Sequence, residues 1–184
     1  MEFIKKHYGN IFFALIIGVL IFNPFGLGMT LKSNLIKLIS GSPKTSTNTQ
    51  KLKSYDYILE TTEGKTIDFN EYKGKVILVN YWATWCPPCV AEMPSIQKLY
   101  NDYGDKIVFL IIASDTPEKV KPYLLKNKYS FPVYYEKSNA LAEFQTSSIP
   151  TTYIISKEGE IVVSETGAKN WNSKATRKII DELL

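Results

Sequence analysis

The stretch that decides the fold is Val76–Pro94, which reads VILVNYWATWCPPCVAEMP. It begins as a continuous run of strand-forming apolar residues and continues into a helical pattern. The only two cysteines of the chain, Cys86 and Cys89, stand at the junction with two residues between them. A cysteine pair with this spacing between a buried strand and a helix indicates a redox site more often than any other kind of site.

The start of the helix gives the two cysteines different roles. A helix N-terminus carries a partial positive charge and unpaired N–H groups, which stabilise a nucleophilic thiolate. We therefore expect Cys86 to attack, and Cys89, one turn further along, to resolve the mixed disulfide. Pro87 and Pro88 lie between them and suit the first helical turn, because proline lacks an N–H and has a fixed φ.

A structural disulfide or a metal site is the alternative interpretation of the cysteine pair. A disulfide across so short a loop stabilises the fold little. A structural zinc ion usually takes four Cys or His ligands, but the single histidine, His7, precedes the apolar N-terminal segment. The sequence therefore disfavours a zinc site within one chain and leaves open a site shared between two chains. We predict no metal and no cofactor.

Three motifs stand in order along the chain: Trp82–Cys89 (WATWCPPC), Glu92–Pro94 (EMP) and Ile149–Thr151 (IPT). Together they resemble the thioredoxin superfamily and, within it, the membrane-anchored TlpA/ResA-type thiol-disulfide oxidoreductases. The resemblance covers about residues 52–184. It implies an α/β, thioredoxin-like fold, in which helices flank a central mixed sheet with an N-terminal β-hairpin and a central αβ insert.

Apolar runs, turn residues and caps predict the individual elements of this domain. The predicted strands are Tyr55–Leu59, Lys65–Phe69, Val76–Tyr81, Ile107–Ala113, Phe131–Tyr135, Thr152–Ser156 and Ile161–Ser164. The predicted helices run from the cysteines to about Tyr100 with a kink at Pro94, from a cap at Thr116, over Asn139–Phe144, and from a cap at Asn172 or Ser173 to the end of the chain. Short buried strands separated by helices favour βαβ units around one central sheet.

The N-terminal region carries the pattern of a membrane segment. Tyr8–Leu31 contains no charged residue, and Ile11–Phe22 is strongly apolar. A spanning helix needs about 20 apolar residues, and the apolar region of a signal peptide about 7–15. We predict an uncleaved signal anchor or transmembrane segment over residues 1–31. The alternative is a signal peptide that is cleaved before Met29.

Residues 32–51 are predicted to connect this segment to the domain. Leu31–Ile39 is loosely helical and amphipathic, so it extends the anchor helix or lies along the membrane surface. Gly41–Gln50 is polar and rich in serine and threonine, which predicts a flexible linker. The lysines around the apolar segment do not settle its orientation. Because disulfides form in oxidising compartments, we expect the domain on the extracytoplasmic, periplasmic side of the cell membrane, or secreted there after cleavage.

Glu92 is the candidate proton acceptor. Many thioredoxins carry a buried aspartate six residues before the first cysteine, and Asn80 occupies that position here. The ResA-like pattern carries a glutamate three residues after the second cysteine, which implies that Glu92 takes the proton of Cys89. A solvated helix residue is the alternative and the commoner fate of a glutamate.

A second group of residues is expected to contact the client. The resemblance implies that the Ile149–Pro150 bond is cis and lies beside the sulfurs, where its backbone can pair with an extended substrate. We expect Trp85 to pack beside the cysteines and shield the disulfide, and Trp82 to belong to the core. Pro87 and Pro88 complete the expected contact surface.

These features favour a membrane-tethered reductant of protein disulfides, with maturation of c-type cytochromes as one task that the resemblance suggests. The expected partners are protein disulfide or dithiol clients and a membrane thiol-disulfide electron donor, and we expect a monomer. A net charge of only +4 with scattered lysines gives no support to nucleic-acid binding. The alternatives are a disulfide-donating oxidant, a peroxiredoxin-type peroxidase, for which the cysteine spacing is a poor match, and a copper-binding thioredoxin-like chaperone.

Overall fold

A computed structural model describes Gly18, residues 27–46 and residues 50–184 of the chain. Most of the predicted anchor over residues 1–31 lies outside these residues, so the anchor stays a prediction. The first helix, α1 (Leu27–Ile39), includes the segment for which helical spacing was predicted. Among the helices of the described ranges, none combines the length and apolarity that crossing a bilayer requires.

An eight-stranded mixed sheet forms the centre of the domain. The strands are β1 (Gln50–Lys51), β2 (Ile58–Thr61), β3 (Thr66–Asp68), β4 (Ile77–Trp82), β5 (Val108–Ala113), β6 (Val133–Glu136), β7 (Thr151–Ile155) and β8 (Glu160–Thr166). In space they follow the order β1-β8-β7-β4-β5-β6-β2-β3. The strands β4, β5 and β6 are parallel, whereas β7 runs antiparallel to β4, which confirms the predicted mixed sheet.

Three helices follow α1: α2 (Pro87–Tyr103), α3 (Pro117–Asn127) and α4 (Lys174–Leu183). Short 3-10 helices cover Phe69–Tyr72 and Ala142–Phe144. The helix α2 continues three residues past the predicted end at Tyr100, because Tyr103 is buried and keeps the last turn on the core. Ser173 caps α4 as predicted, since its hydroxyl accepts a hydrogen bond from the Thr176 N–H.

The core lies on both faces of β4, all of whose residues are buried. Leu78 and Trp82 point toward one apolar cluster, which also contains Met93 of α2. Ile77 and Val79 point toward the other cluster, on the opposite face of the sheet. A central strand covered on both faces explains why its sequence is a continuous apolar run rather than an alternating one.

The hairpin and the insert extend one edge of the sheet. The strands β2 and β3 pair antiparallel, and β2 also pairs with β6. The helix α3, β6 and the second 3-10 helix stand between β5 and β7 in the chain. The β2 strand begins three residues later than the predicted Tyr55, because the Tyr57 N–H bonds the Tyr55 carbonyl in a turn and the Tyr57 ring is buried in the second cluster.

The prediction of a flexible linker over Gly41–Gln50 is wrong for the residues that the structure describes there. The Lys44 N–H donates to the Glu165 carboxylate, and the Ser46 N–H donates to the Val162 carbonyl. Gln50–Lys51 then pairs antiparallel with β8. Serine- and threonine-rich composition does not reveal that a sheet edge offers hydrogen-bond partners, so contact with the domain begins before residue 52.

The buried position of Leu78 gives a test of the β4 core. Leu78→Ala deletes a fully buried side chain, so we expect it to lower the free energy of unfolding by about 3 kcal/mol. Leu125→Ala on α3 is the matched control; that leucine is 79% exposed, and the loss should stay below about 0.5 kcal/mol. Urea unfolding of the oxidised protein measures both values, and equal losses would contradict the assignment of Leu78 to the core.

Candidate redox site

The two cysteines lie where β4 passes into α2. Cys86 is the N-cap residue of α2, and its Sγ accepts a hydrogen bond from the Cys89 N–H at 3.2 Å. The two sulfurs form a disulfide in this structure. Cys86 keeps 3% of its surface exposed, whereas Cys89 has none. Cys86 is therefore the more exposed of the two, and the attacking and resolving roles stay a prediction.

The surroundings of Cys86 favour a thiolate and place the loop of Ile149 and Pro150 next to its sulfur. A helix N-terminus and a donated N–H both stabilise negative charge on sulfur. The carbonyl oxygen of Ile149 lies 3.7 Å from the Cys86 Sγ. The Ile149–Pro150 bond is cis, as expected. Pro87 and Pro88 occupy the first two positions of the helix, where proline removes no helical hydrogen bond.

Trp85 stands next to Cys86 in the chain, and its role in shielding the disulfide stays a prediction. Trp85 is 56% exposed, so more than half of its surface faces solvent beside the N-cap of α2. Trp82 is fully buried in the core, as predicted. The difference follows from position, because Trp82 ends a strand covered on both faces, whereas Trp85 lies in the turn after that strand. Trp85 therefore forms part of the open surface next to Cys86.

Glu92 is buried, with 1% of its surface exposed, so it is not a solvated helix residue. Its Oε1 accepts a hydrogen bond from Asn80 Nδ2 at 2.7 Å. Its Oε2 accepts from Trp171 Nε1 at 2.9 Å and from the Lys169 backbone N–H at 3.2 Å. Burial raises the pKa of Glu92 to about 7, although these hydrogen bonds act in the opposite direction.

A carboxyl group that titrates near neutrality is suited to exchanging protons with a thiol. Glu92 follows Cys89 by one helical turn on α2. Asn80 also donates to the Thr152 hydroxyl at 2.7 Å, and within the described residues its carbonyl oxygen has no partner. If the Asn80 amide turned over, that oxygen would accept the proton of a neutral Glu92. The pair can thus accommodate both protonation states of the carboxyl group.

A second carboxylate fixes the loop that leads to Cys86. The backbone N–H and the hydroxyl of Thr84 both donate to Asp115, just beyond the end of β5. Lys119 Nζ lies 3.4 Å from the same carboxylate. Burial acts to raise the pKa of Asp115, but the Thr84 hydrogen bonds and the charge of Lys119 hold it below its usual value. The loop is therefore tied to the edge where the parallel strands β4 and β5 end.

Comparison with known proteins agrees with this geometry. Residues 50–164 match the model of the AhpC/TSA family. The chain belongs to the AhpC/TSA family. It is 33% identical to the thiol-disulfide oxidoreductase ResA of Halalkalibacterium halodurans over 135 residues, which are 72% of this chain and 73% of that protein. It is 36% identical to the thioredoxin-like protein YneN of Bacillus subtilis over 110 residues, 58% of this chain and 65% of that protein.

A solved structure shares both the fold and part of the sequence. The crystal structure of a proposed thiol-disulfide oxidoreductase from Bacteroides vulgatus superposes with a TM-score of 0.59 at 31% identity. The superposition covers 80% of this chain and 99% of that one. This AhpC/TSA-family chain is a thiol-disulfide oxidoreductase of the ResA type, with a close cysteine pair and a thioredoxin-like fold.

The sequence analysis of this AhpC/TSA-family protein missed the partners of Glu92. Trp171 and Lys169 lie between β8 and α4, and they stand 79 and 77 residues after Glu92 in the chain. The available signal was Trp171 itself, a single large aromatic residue in the polar stretch GAKNWNS. Asp115 was missed because nothing in its local sequence separates it from an ordinary loop residue.

The Trp171 indole N–H gives a test of the buried network. Trp171→Phe removes a donor that favours the ionised carboxyl group, so we expect the pKa of Glu92 to rise by about one unit. Carboxyl ¹³C NMR titration of the oxidised protein measures the shift. Trp85→Phe is the control and should leave the pKa of Glu92 unchanged, because Trp85 lies outside the network. An unchanged pKa in Trp171→Phe would contradict the proposed electrostatic role of the indole.

Proposed function

We propose that this oxidoreductase reduces protein disulfides outside the cytoplasm and is tethered to the cell membrane by its N-terminal segment. The observation that carries the proposal is the buried Glu92 carboxyl group one turn behind the cysteine pair. A disulfide that only stabilises the fold has no use for a proton acceptor held near neutral pKa. A dithiol that resolves a mixed disulfide needs such a proton acceptor, because Cys89 has to lose its proton.

The reaction begins with the reduced pair. The Cys86 thiolate attacks one sulfur of the client disulfide, which forms a mixed disulfide and releases the first client thiolate. Glu92 then takes the proton of Cys89, and the new thiolate attacks the Cys86 sulfur and releases the second client thiolate. The client leaves with two electrons more, and the enzyme carries the Cys86–Cys89 disulfide. A membrane thiol donor re-reduces the pair.

A groove beside Ile149 supports binding of an extended client segment. A cavity of about 380 Å³ is lined by Tyr81, Glu136, Phe144 and Thr146 as well as by Ile149. Ile149 thus belongs both to this groove and to the surroundings of the Cys86 sulfur. A client strand lying along the groove would bring its cystine to Cys86, beside Trp85 and the two prolines that neighbour this cysteine in the chain.

Two arguments support an extracytoplasmic location at the membrane and protein disulfides as the clients. An uncharged apolar segment precedes the domain in the sequence, which supports a membrane tether. Protein disulfides form in oxidising compartments, so a dedicated reductant finds its substrates there. Among such clients we include apocytochrome c, whose cysteines must be reduced before haem attachment, on the strength of the resemblance to ResA-type proteins.

The other reactions fit the site less well. A peroxiredoxin-type peroxidase has a serine or threonine near its reactive cysteine at a different spacing. Here the Thr84 hydroxyl donates to Asp115, so its hydrogen bond goes to that carboxylate and not to a reactive cysteine. A disulfide-donating oxidant uses the same geometry in reverse, so the direction depends on the reduction potential.

The midpoint potential of the full chain in detergent decides the direction. A reductant should have a potential near or below that of thioredoxin, about −270 mV. Equilibration in dithiothreitol buffers, with free thiols counted by alkylation, measures this value. A potential near that of DsbA, about −120 mV, would overturn the direction and make the protein a disulfide donor.

The role of Glu92 is tested by the rate of resolution. In the wild-type protein this rate should rise with pH through about 7, where Glu92 loses its proton. Glu92→Gln should lower the rate at neutral pH by about 100-fold and remove this inflection. Stopped-flow release of the second thiolate from an aromatic disulfide measures it. Glu143→Gln, at a second buried glutamate, is the matched control. An unchanged pH profile in Glu92→Gln would remove Glu92 from the mechanism.

A further inference from the structure

The outer face of α1 carries an apolar stripe that the described part of the chain does not cover. Leu31, Leu35, Leu38 and Ile39 are 49%, 63%, 84% and 76% exposed. Their spacing places all four on one side of the helix. Large aliphatic side chains grouped in this way on a surface mark a site of contact with an apolar partner.

The opposite side of α1 faces the domain. Ser33 is 6% exposed there, and Ile36 and Ser40 are half-buried. This side packs along α2. A surface helix ordinarily turns its apolar stripe toward the core and its polar side outward. In α1 the orientation is reversed, so the stripe is available to another apolar medium.

The charged residues of α1 are both lysines, Lys32 and Lys37, and both are exposed. At about 100° per residue, Lys32 lies next to Ile39 at one border of the stripe. Lys37 lies further round the helix and lines two cavities of about 260 and 440 Å³ on the side that faces the domain. No aspartate or glutamate is among the described residues that line either cavity. Basic side chains beside an apolar stripe are typical of helices that lie on anionic bilayers.

We propose that the outer face of α1 lies in the interface of an anionic lipid bilayer. The sequence supports this occupant, because the uncharged residues 8–26 lead directly into α1 at Leu27. A second copy of the chain fits less well, since a symmetric contact through this face would bring the lysines of both copies together. The stripe inserts among the acyl chains, and the lysines contact the lipid phosphates.

This placement also orients the redox pair. Thr84, in the loop that leads to Cys86, lines the same cavity as Ser33 and Asn34 of α1. With α1 on the bilayer, the loop that leads to Cys86 lies on the side of α1 away from the lipid, about one helix diameter (roughly 10 Å) or more from the membrane surface. The inference rests on the proposed membrane tether, but it does not depend on the direction of disulfide exchange.

The test places a tryptophan on the stripe in the full chain, reconstituted into vesicles. Leu38→Trp is compared with Leu184→Trp, an exposed leucine next to α4. The end of α4 meets the far end of α2 through the Tyr103–Asp181 hydrogen bond. The vesicles contain phosphatidylglycerol and phosphatidylcholine, with or without bromine near the headgroup end of the acyl chains. Emission of the parent protein is subtracted.

Brominated lipid should quench the added tryptophan of Leu38→Trp by at least about twofold and leave that of Leu184→Trp nearly unchanged. Leu35→Trp, one turn earlier on the stripe, should be quenched as well. Replacing the anionic lipid by phosphatidylcholine should reduce quenching at both stripe positions.

Three results would overturn the proposal. Equal quenching at positions 38 and 184 would mean that the domain adheres without a preferred face. Blue-shifted but unquenched emission that changes with protein concentration would indicate a second copy on the stripe. Equal quenching in anionic and in phosphatidylcholine vesicles would show that the lysines do not contribute to lipid binding. Reduction of a soluble disulfide by the same samples is measured separately. Its loss would count against the proposed reaction, whereas absent quenching with full activity would count against the placement alone.

Discussion

The buried carboxyl group of Glu92 is the constraint on which the site depends. Burying a carboxyl group costs free energy unless polar partners satisfy it. Its donors are Asn80 on β4, the Lys169 backbone and the Trp171 indole. They come from a central strand and from the segment before α4, while Glu92 itself lies on α2. The network can form only when sheet, helix and C-terminal segment have assembled, so the fold and the proton acceptor are built together.

The burial of Glu92 places a cost on stability that an apolar residue would avoid, and the hydrogen bonds of the network offset only part of it. The pKa of Glu92 rises from 4.5 to about 7 on folding. Between these pH values the folded protein binds more protons than the unfolded chain, so stability falls as the pH rises through this window. An apolar residue at position 92 would remove this loss. A carboxyl group at position 92, despite this loss of stability, is more simply explained by proton transfer than by packing.

What the sequence could predict was local. The β4 run, the cysteines at the helix start and the cap at Ser173 each depend on residues a few positions apart. Trp171 was missed because its contact with Glu92 spans 79 residues. The docking of the segment after α1 was missed for the same reason, since its partners lie on β8. The exposure of Trp85 could not be predicted, because a motif gives the order of residues but not how much solvent reaches each side chain.

The helix α1 shows a further limit of local patterns. The same limit makes the exposure of its apolar stripe informative. Helical periodicity predicts that Leu31, Leu35 and Leu38 share a face, but it does not say whether that face points toward protein or lipid. The domain already has two apolar clusters, one on each face of the sheet, and neither includes the stripe. Ser33 occupies the contact with α2 instead. The stripe therefore takes no part in the two clusters of the described residues, and the proposed contact with lipid accounts for its aliphatic character.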